Sequence, residues 1–321
     1  MTDVDKFEAR EVIAKHWLSM SLMFILPYAG IYAFQMIFYP LIGIIFPEEE
    51  ALKFFLNSYG IFIDLFIQNL VATIIPLLIL SKIYKKELSI KYEKKYEGKF
   101  YHWILFYPLM TVVSSSVGAL FEQIFAILNK YFGIEQPVDT IADSVPAQTG
   151  EIIAFFISIV IIAPILEELL FRGLILKAFR GMGDLFAAVM SGVMFGLYHG
   201  NFYQAPYTTT MGILLGVLTL RANSIKPAIF IHMLNNFIST ISSYSDKMAE
   251  GGSVIGQAFH QMSKYTEPFM LIVYLLSIVS IFILFKDKQF SLEKSEVGGK
   301  LIFKNAQFII FVIACIIVFN I

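Results

Sequence analysis

The sequence predicts an all-α protein: a polytopic transmembrane bundle of about eight to nine membrane helices. Three observations predict it. Apolar residues make up 57% of the 321 and charged ones only 15%, where soluble domains carry roughly a quarter charged residues. The mean hydropathy is +0.71. The apolar residues also gather into runs approaching or exceeding the ~20 residues that cross a bilayer, with most of the charge held between them. Such apolar content excludes disorder. A formal charge of −1 supplies no basic excess to neutralise phosphates, so no nucleic-acid partner is expected. The single cysteine, Cys315, excludes an intramolecular disulfide and any CxxC metal site.

The elements follow in order. Residues 1–16 carry three basic and four acidic side chains, and the run from Trp17 to Phe46 then has no charge. That run is too long for a secretory signal and lacks a small-residue cleavage site, so it is read as a retained span. Further spans are expected at 54–80, 103–130, 152–176, 185–200, 207–220, 227–243, 268–285 and 301–319. The two at 185–200 and 207–220 are short for a full crossing. The polar loop 81–102 is rich in lysine and suits contact with anionic membrane lipid. With the N-terminus in the cytoplasm, eighteen Lys and Arg fall in inside segments and three in outside ones, which supports that orientation. The protein is therefore expected to be integral and multi-pass, with short loops that lean towards a prokaryotic plasma membrane. No repeat or soluble domain is visible. The chain divides into N-terminal helices (1–151), a motif-bearing core (152–241) and C-terminal helices (242–321).

An ionisable group at mid-bilayer costs about 2.5–3.5 kcal/mol on insertion scales, so each one marks a candidate site. Most of them fall in the core. The span 152–176 carries Glu167, Glu168 and Arg172, the next ends on Phe195 and His199, and 227–243 carries His232, Asn235 and Asn236. Glu168 and Arg172 are i and i+4, so they share a helix face and can pair. Glu167 lies about 100° round the helix, without that partner. An unpaired buried carboxylate holds a proton more readily than a solvated one, which makes Glu167 the candidate general base. His232 and Asn236, also i and i+4, face one way, and Asn235 points elsewhere. Counted at ~1.5 Å per residue from the nearest charged ends, Glu167 and Asn236 lie about 15 Å deep. The turn Arg180-Gly181-Met182-Gly183 makes the first two of these helices antiparallel neighbours, and Gly192-xxx-Gly196 and Gly212-xxx-Gly216 offer small faces for close approach.

Glu-Glu-xxx-Arg, then Phe-xxx-His, then His-xxx-Asn, each in a membrane span, resembles the CPBP family, the CAAX proteases and bacteriocin-processing enzymes also called the Abi family. The resemblance covers roughly 152–241 and is reinforced by Gly212-Ile-Leu-Leu-Gly216 and by Ser224-Ile-Lys-Pro227. It implies an intramembrane endopeptidase acting on a peptide or protein substrate, membrane-anchored ones included. It implies that Glu167 is the catalytic base, that His199 helps it activate water, that His232 and Asn236 stabilise the oxyanion, and that Glu168 and Arg172 support the site. No cofactor is expected on this reading. The rival is zinc held by Glu167, His199 and His232 with an open position for water, against which stand the absence of HExxH and the poor ligand quality of Asn. A non-catalytic scaffold or immunity-type protein and a proton-coupled transporter are the other readings. An intact motif argues against the first, and the lack of two similar halves against the second.

The remaining polar residues have plainer expectations. Asp64 and Glu122 are read as hydrogen-bonded groups in the bundle interior. His16, His102 and Trp103 are read as interfacial anchors, His260 as solvated, Tyr198 as packing, and Cys315 as a buried apolar filler.

Overall fold

Thr149–Met182 is an apolar helix long enough to cross a membrane, and half of its most apolar stretch is buried inside the protein, against 11% for Phe106–Phe132. A span covered on that scale must lie inside the bundle, with other helices between it and lipid. The computed structural model describes residues 3–55, 67, 70–89, 103–133, 145–146, 148–200 and 204–285. Every regular element among them is helical. In order these are α1 (Asp3–Ile45), α2 (Glu49–Phe55), α3 (Leu70–Ile83), α4 (Lys85–Ser89), α5 (Phe106–Phe132), α6 (Thr149–Met182), α7 (Asp184–Tyr198), α8 (Ala205–Ala222), α9 (Lys226–Glu250), α10 (Val254–Ser263) and α11 (Thr266–Phe285). By length and composition α1, α5 and α6 can each cross a bilayer, while α3, α7 and part of α11 are shorter apolar helices. The protein is an all-α membrane bundle. The expected spans at 301–319 and over much of 54–80 lie outside the described residues, as do Asp64, His102 and Cys315.

The central helix α6 packs on α3, α7 and α9; α8 packs on α7 and α9; and α5 lies outside α8, against α11. One core cluster joins α1, α3, α6 and α7 through Trp17, Leu80, Phe171, Phe179 and Phe195. A second joins α5, α8 and α9 through Tyr107, Met211, Leu215 and Ile231. Two places show why the site helices sit where they do. Gly183 ends the turn after α6 at φ 105°, a conformation open to glycine and costly for other residues, and α7 starts back from it. Gly192 and Gly212 then face each other across α7 and α8: a Cβ on Gly212 would lie 2.8 Å from the Gly192 Cα, and one on Gly192 would collide with Ile213. The two backbones touch because neither residue carries a side chain.

Helix α6 is not a uniform α-helix. It widens into π-helical turns at Ile157–Ile162 and Leu169–Ile175, and α3 does so at Leu70–Ile74. The first and last of these turns each end two residues before a proline, Pro164 and Pro76. A proline inside a helix clashes with the carbonyl four residues back and offers no N–H, and a wide turn relieves the clash.

Three placements differ from expectation, the first being Trp103, which is 8% exposed and packs in the second core cluster rather than at the interface. Glu122 is exposed, as is nearly all of α5 from Ala119 onward. His16 is 2% exposed rather than interfacial. Its ring nitrogens face Val12 O at 2.6 Å and Ala178 O at 2.9 Å, so it ties α1 to the end of α6.

Candidate active site

Helices α6, α7, α8 and α9 bring the three motifs together. Glu168 and Arg172 are wholly buried, and Arg172 Nη1 donates to Glu168 Oε1 at 2.9 Å, as the i, i+4 spacing requires. The same carboxylate oxygen accepts from His232 Nδ1 at 2.9 Å. Arg172 is also held from the far side, where Nη2 donates to the Gly212 carbonyl at 2.9 Å. Its guanidinium lies 4.7 Å from the centre of the Phe195 ring, within cation–π range. The buried charge is thus shared among a carboxylate, a backbone carbonyl and an aromatic face.

Glu167, 9% exposed, stands beside this network. Its Oε2 is 3.7 Å from His232 Nε2, too long for a hydrogen bond. Because His232 Nδ1 donates to Glu168, the neutral ring leaves Nε2 as an acceptor facing Glu167. His199, the residue after α7, donates from Nδ1 to Phe195 O at 2.8 Å, which likewise leaves its Nε2 unprotonated in the neutral ring. Phe195 packs edge-on against both imidazoles, 4.8 Å from His199 and 5.5 Å from His232 between ring centres. Among the described residues no hydrogen bond joins His199 to Glu167. Asn236, one turn beyond His232, donates from Nδ2 to the Ile159 carbonyl at 2.9 Å. Asn235 does point elsewhere, and its Oδ1 accepts from Tyr207 Oη at 2.7 Å.

The structure therefore gathers Glu167, Glu168, Arg172 and His232 into one cluster, links His199 to it through Phe195, and sets Asn236 one helical turn away. Several supporting groups carry no signal in the sequence, namely the carbonyls of Ile159 and Gly212 and the side chain of Thr73. Thr73, 1% exposed in the wide turn of α3, shares a 3.0 Å hydrogen bond with Tyr198 Oη, and the Tyr198 ring also lies edge-on to Phe171. Tyr198 is thus more than packing: it pins the end of α7 beside His199. His260, expected to be solvated, contacts Asp246 at 2.7 Å.

The rival reading places zinc on Glu167, His199 and His232. Among the described residues no three His, Cys, Asp or Glu side chains are gathered as one metal ion requires. No chemical step is derived through an ion.

Residues 149–238, the stretch that carries all three motifs, match the family model of the type II CAAX prenyl endopeptidases, Rce1-like. The membrane-embedded CAAX protease MroQ of Staphylococcus aureus is 30% identical over 191 residues, covering 56% of this chain and 73% of that protein. The chain belongs to the CAAX protease family. The putative membrane peptidase YdiL of Bacillus subtilis is 36% identical over 80 residues, 24% of this chain and 33% of that protein. No solved structure matches the chain. The family assignment and the apolar helices together make this an integral membrane protein of the protease class. The CAAX-protease match covers α6 to the middle of α9, so Thr73, and with it the anchor for Tyr198, lies outside it.

Proposed function

We propose that this protein is an intramembrane endopeptidase that hydrolyses a peptide bond with water activated by Glu167. The observation that carries the reading is the buried cluster in which Glu167 faces His232 while Glu168 is bound by Arg172 and His232. Glu168 and Arg172 neutralise each other, which leaves Glu167 as the carboxylate free to accept a proton. Glu167, helped by His199 Nε2 as a second acceptor, takes a proton from water. The hydroxide adds to the scissile carbonyl carbon, and the negative charge moves to the carbonyl oxygen. Asn236 Nδ2 has a second N–H to offer that oxyanion. His232 offers another from Nε2 only in its doubly protonated form, since Nδ1–H is committed to Glu168. Collapse of the intermediate breaks the C–N bond, and the proton held by Glu167 passes to the leaving amine. No cofactor enters this scheme.

The substrate is a peptide or protein that reaches the site from the membrane, with prenylated CAAX termini one class to test first. On the Lys and Arg distribution we place the N-terminus in the cytoplasm. Quantitative proteomics of protein termini in membranes from wild type and Glu167→Ala tests the reading. Termini that appear only with Glu167 present are expected, and a Glu167→Gln protein that generates them at the normal rate would end the proposal. Exhaustive chelation is expected to leave cleavage intact. Loss with a chelator and recovery with added zinc would transfer the chemistry to a metal.

A further inference from the structure

The Asn236 amide is held by a backbone carbonyl that would ordinarily be occupied. In an α-helix the Ile159 carbonyl accepts from the N–H of residue 163, and in a π-helix from that of residue 164. Ala163 N–H donates instead to Ser158 O, five residues back. The π register therefore passes Ile159 to residue 164, and residue 164 is proline, which has no N–H. The carbonyl is left for a side chain, and Asn236 Nδ2 reaches it at 2.9 Å from α9. The contact is part-buried, a carbonyl kept from water gains by finding a donor, and the bond determines which end of the amide is nitrogen. One N–H is used on Ile159, and the second remains for the substrate.

We infer that Pro164 is a positioning residue for Asn236: by withholding its own N–H from Ile159 O it keeps that carbonyl open and aims the Asn236 amide. The inference rests on the reading above in which Asn236 serves the oxyanion. It makes Pro164 a residue that burdens the helix for the sake of the site. An alanine at 164 would supply the missing N–H, let α6 close its own hydrogen bonds, and release Asn236 to other rotamers.

The test compares wild type, Pro164→Ala, Asn236→Ala, the double variant and Glu167→Gln in isolated membranes, with the rate of appearance of the Glu167-dependent termini as readout. Thermal unfolding of the purified full chain is measured alongside. Pro164→Ala is expected to be at least as heat-stable as wild type yet about tenfold slower, the scale of one mispositioned donor. In the Asn236→Ala background the same change is expected to cost nothing further. A Pro164→Ala protein that is as fast as wild type, that unfolds more easily or fails to fold, or that adds its full loss to Asn236→Ala overturns the inference. Activity surviving in Glu167→Gln brings down the hydrolytic reading instead. Loss in Glu167→Gln and Asn236→Ala with none in Pro164→Ala leaves that reading standing and removes only the role of Pro164.

Discussion

Replacing Arg172 with methionine isolates the energetic role of the buried pair. The Glu168 carboxylate and the Arg172 guanidinium are 0% exposed and 2.9 Å apart. Methionine matches much of the arginine stem in length but leaves the Glu168 charge buried with His232 as its remaining donor. Removing one partner of a buried ion pair costs about 3–5 kcal/mol, and the Gly212 carbonyl loses its Nη2 donor as well. At 1.4 kcal/mol per decade, the unfolding equilibrium is expected to shift by a hundredfold or more. Changing both residues, Glu168→Leu with Arg172→Met, removes the stranded charge, so the double variant is expected to be more stable than Arg172→Met alone. It is nonetheless expected to be inactive, because His232 loses the acceptor that holds its ring. Unfolding of purified protein in detergent, followed by circular dichroism against denaturant, reads the stabilities, and the membrane cleavage assay reads activity. A single variant as stable as wild type, or a double variant less stable than the single one, would refute the reasoning.

Three further outcomes follow from other contacts. Gly212→Ala places a Cβ 2.8 Å from the Gly192 Cα; parting α7 from α8 is expected to lower stability by about 1–3 kcal/mol in the same unfolding experiment. Thr73→Val keeps the shape of the side chain and removes the hydroxyl that holds Tyr198. It is expected to raise deuterium uptake in peptides covering the end of α7 but not in those covering Glu167, and Thr73→Ser is expected to restore protection. Glu87 of α4 is held by Lys15 Nζ at 2.7 Å. Burial pushes its carboxyl up, but the hydrogen bond from Lys15, a backbone hydrogen bond and the charges of Lys15 and His16 together outweigh that, and the net shift is downward. A lowered carboxyl stabilises the fold above its unperturbed value of 4.5 and loses that contribution as pH falls through the lowered value. Glu87→Gln is therefore expected to flatten the acid limb of the stability profile measured between pH 6 and 3, and an unchanged limb would show that the pair contributes nothing.

Much of the site was legible because it depends on spacing along one helix. Glu168 and Arg172 pair as an i, i+4 arrangement must, and Asn235 and Asn236, adjacent in sequence, face different neighbours as 100° of rotation demands. The legible part stopped where a partner comes from another helix. The sequence placed His232 and Asn236 on one face, yet the first bonds a carboxylate and the second a carbonyl on a different turn of α6. Glu122 looked interior because it sits in an apolar run, but whether a run is covered depends on how far its neighbours extend. His16 looked interfacial from its place at the edge of a span, whereas the packing of α1 on α6 buries it.

The order of the chain by itself determined that this is a helical membrane protein and which carboxylates, imidazoles and amide are available for chemistry. Those facts follow from the cost of placing polar groups in hydrocarbon and from the 3.6-residue turn, both local properties. Tertiary structure alone decided which backbone carbonyls those groups meet. A carbonyl has no letter of its own, and its availability depends on whether a wide turn and a proline have taken away its usual donor and on which neighbouring helix comes close enough to supply another.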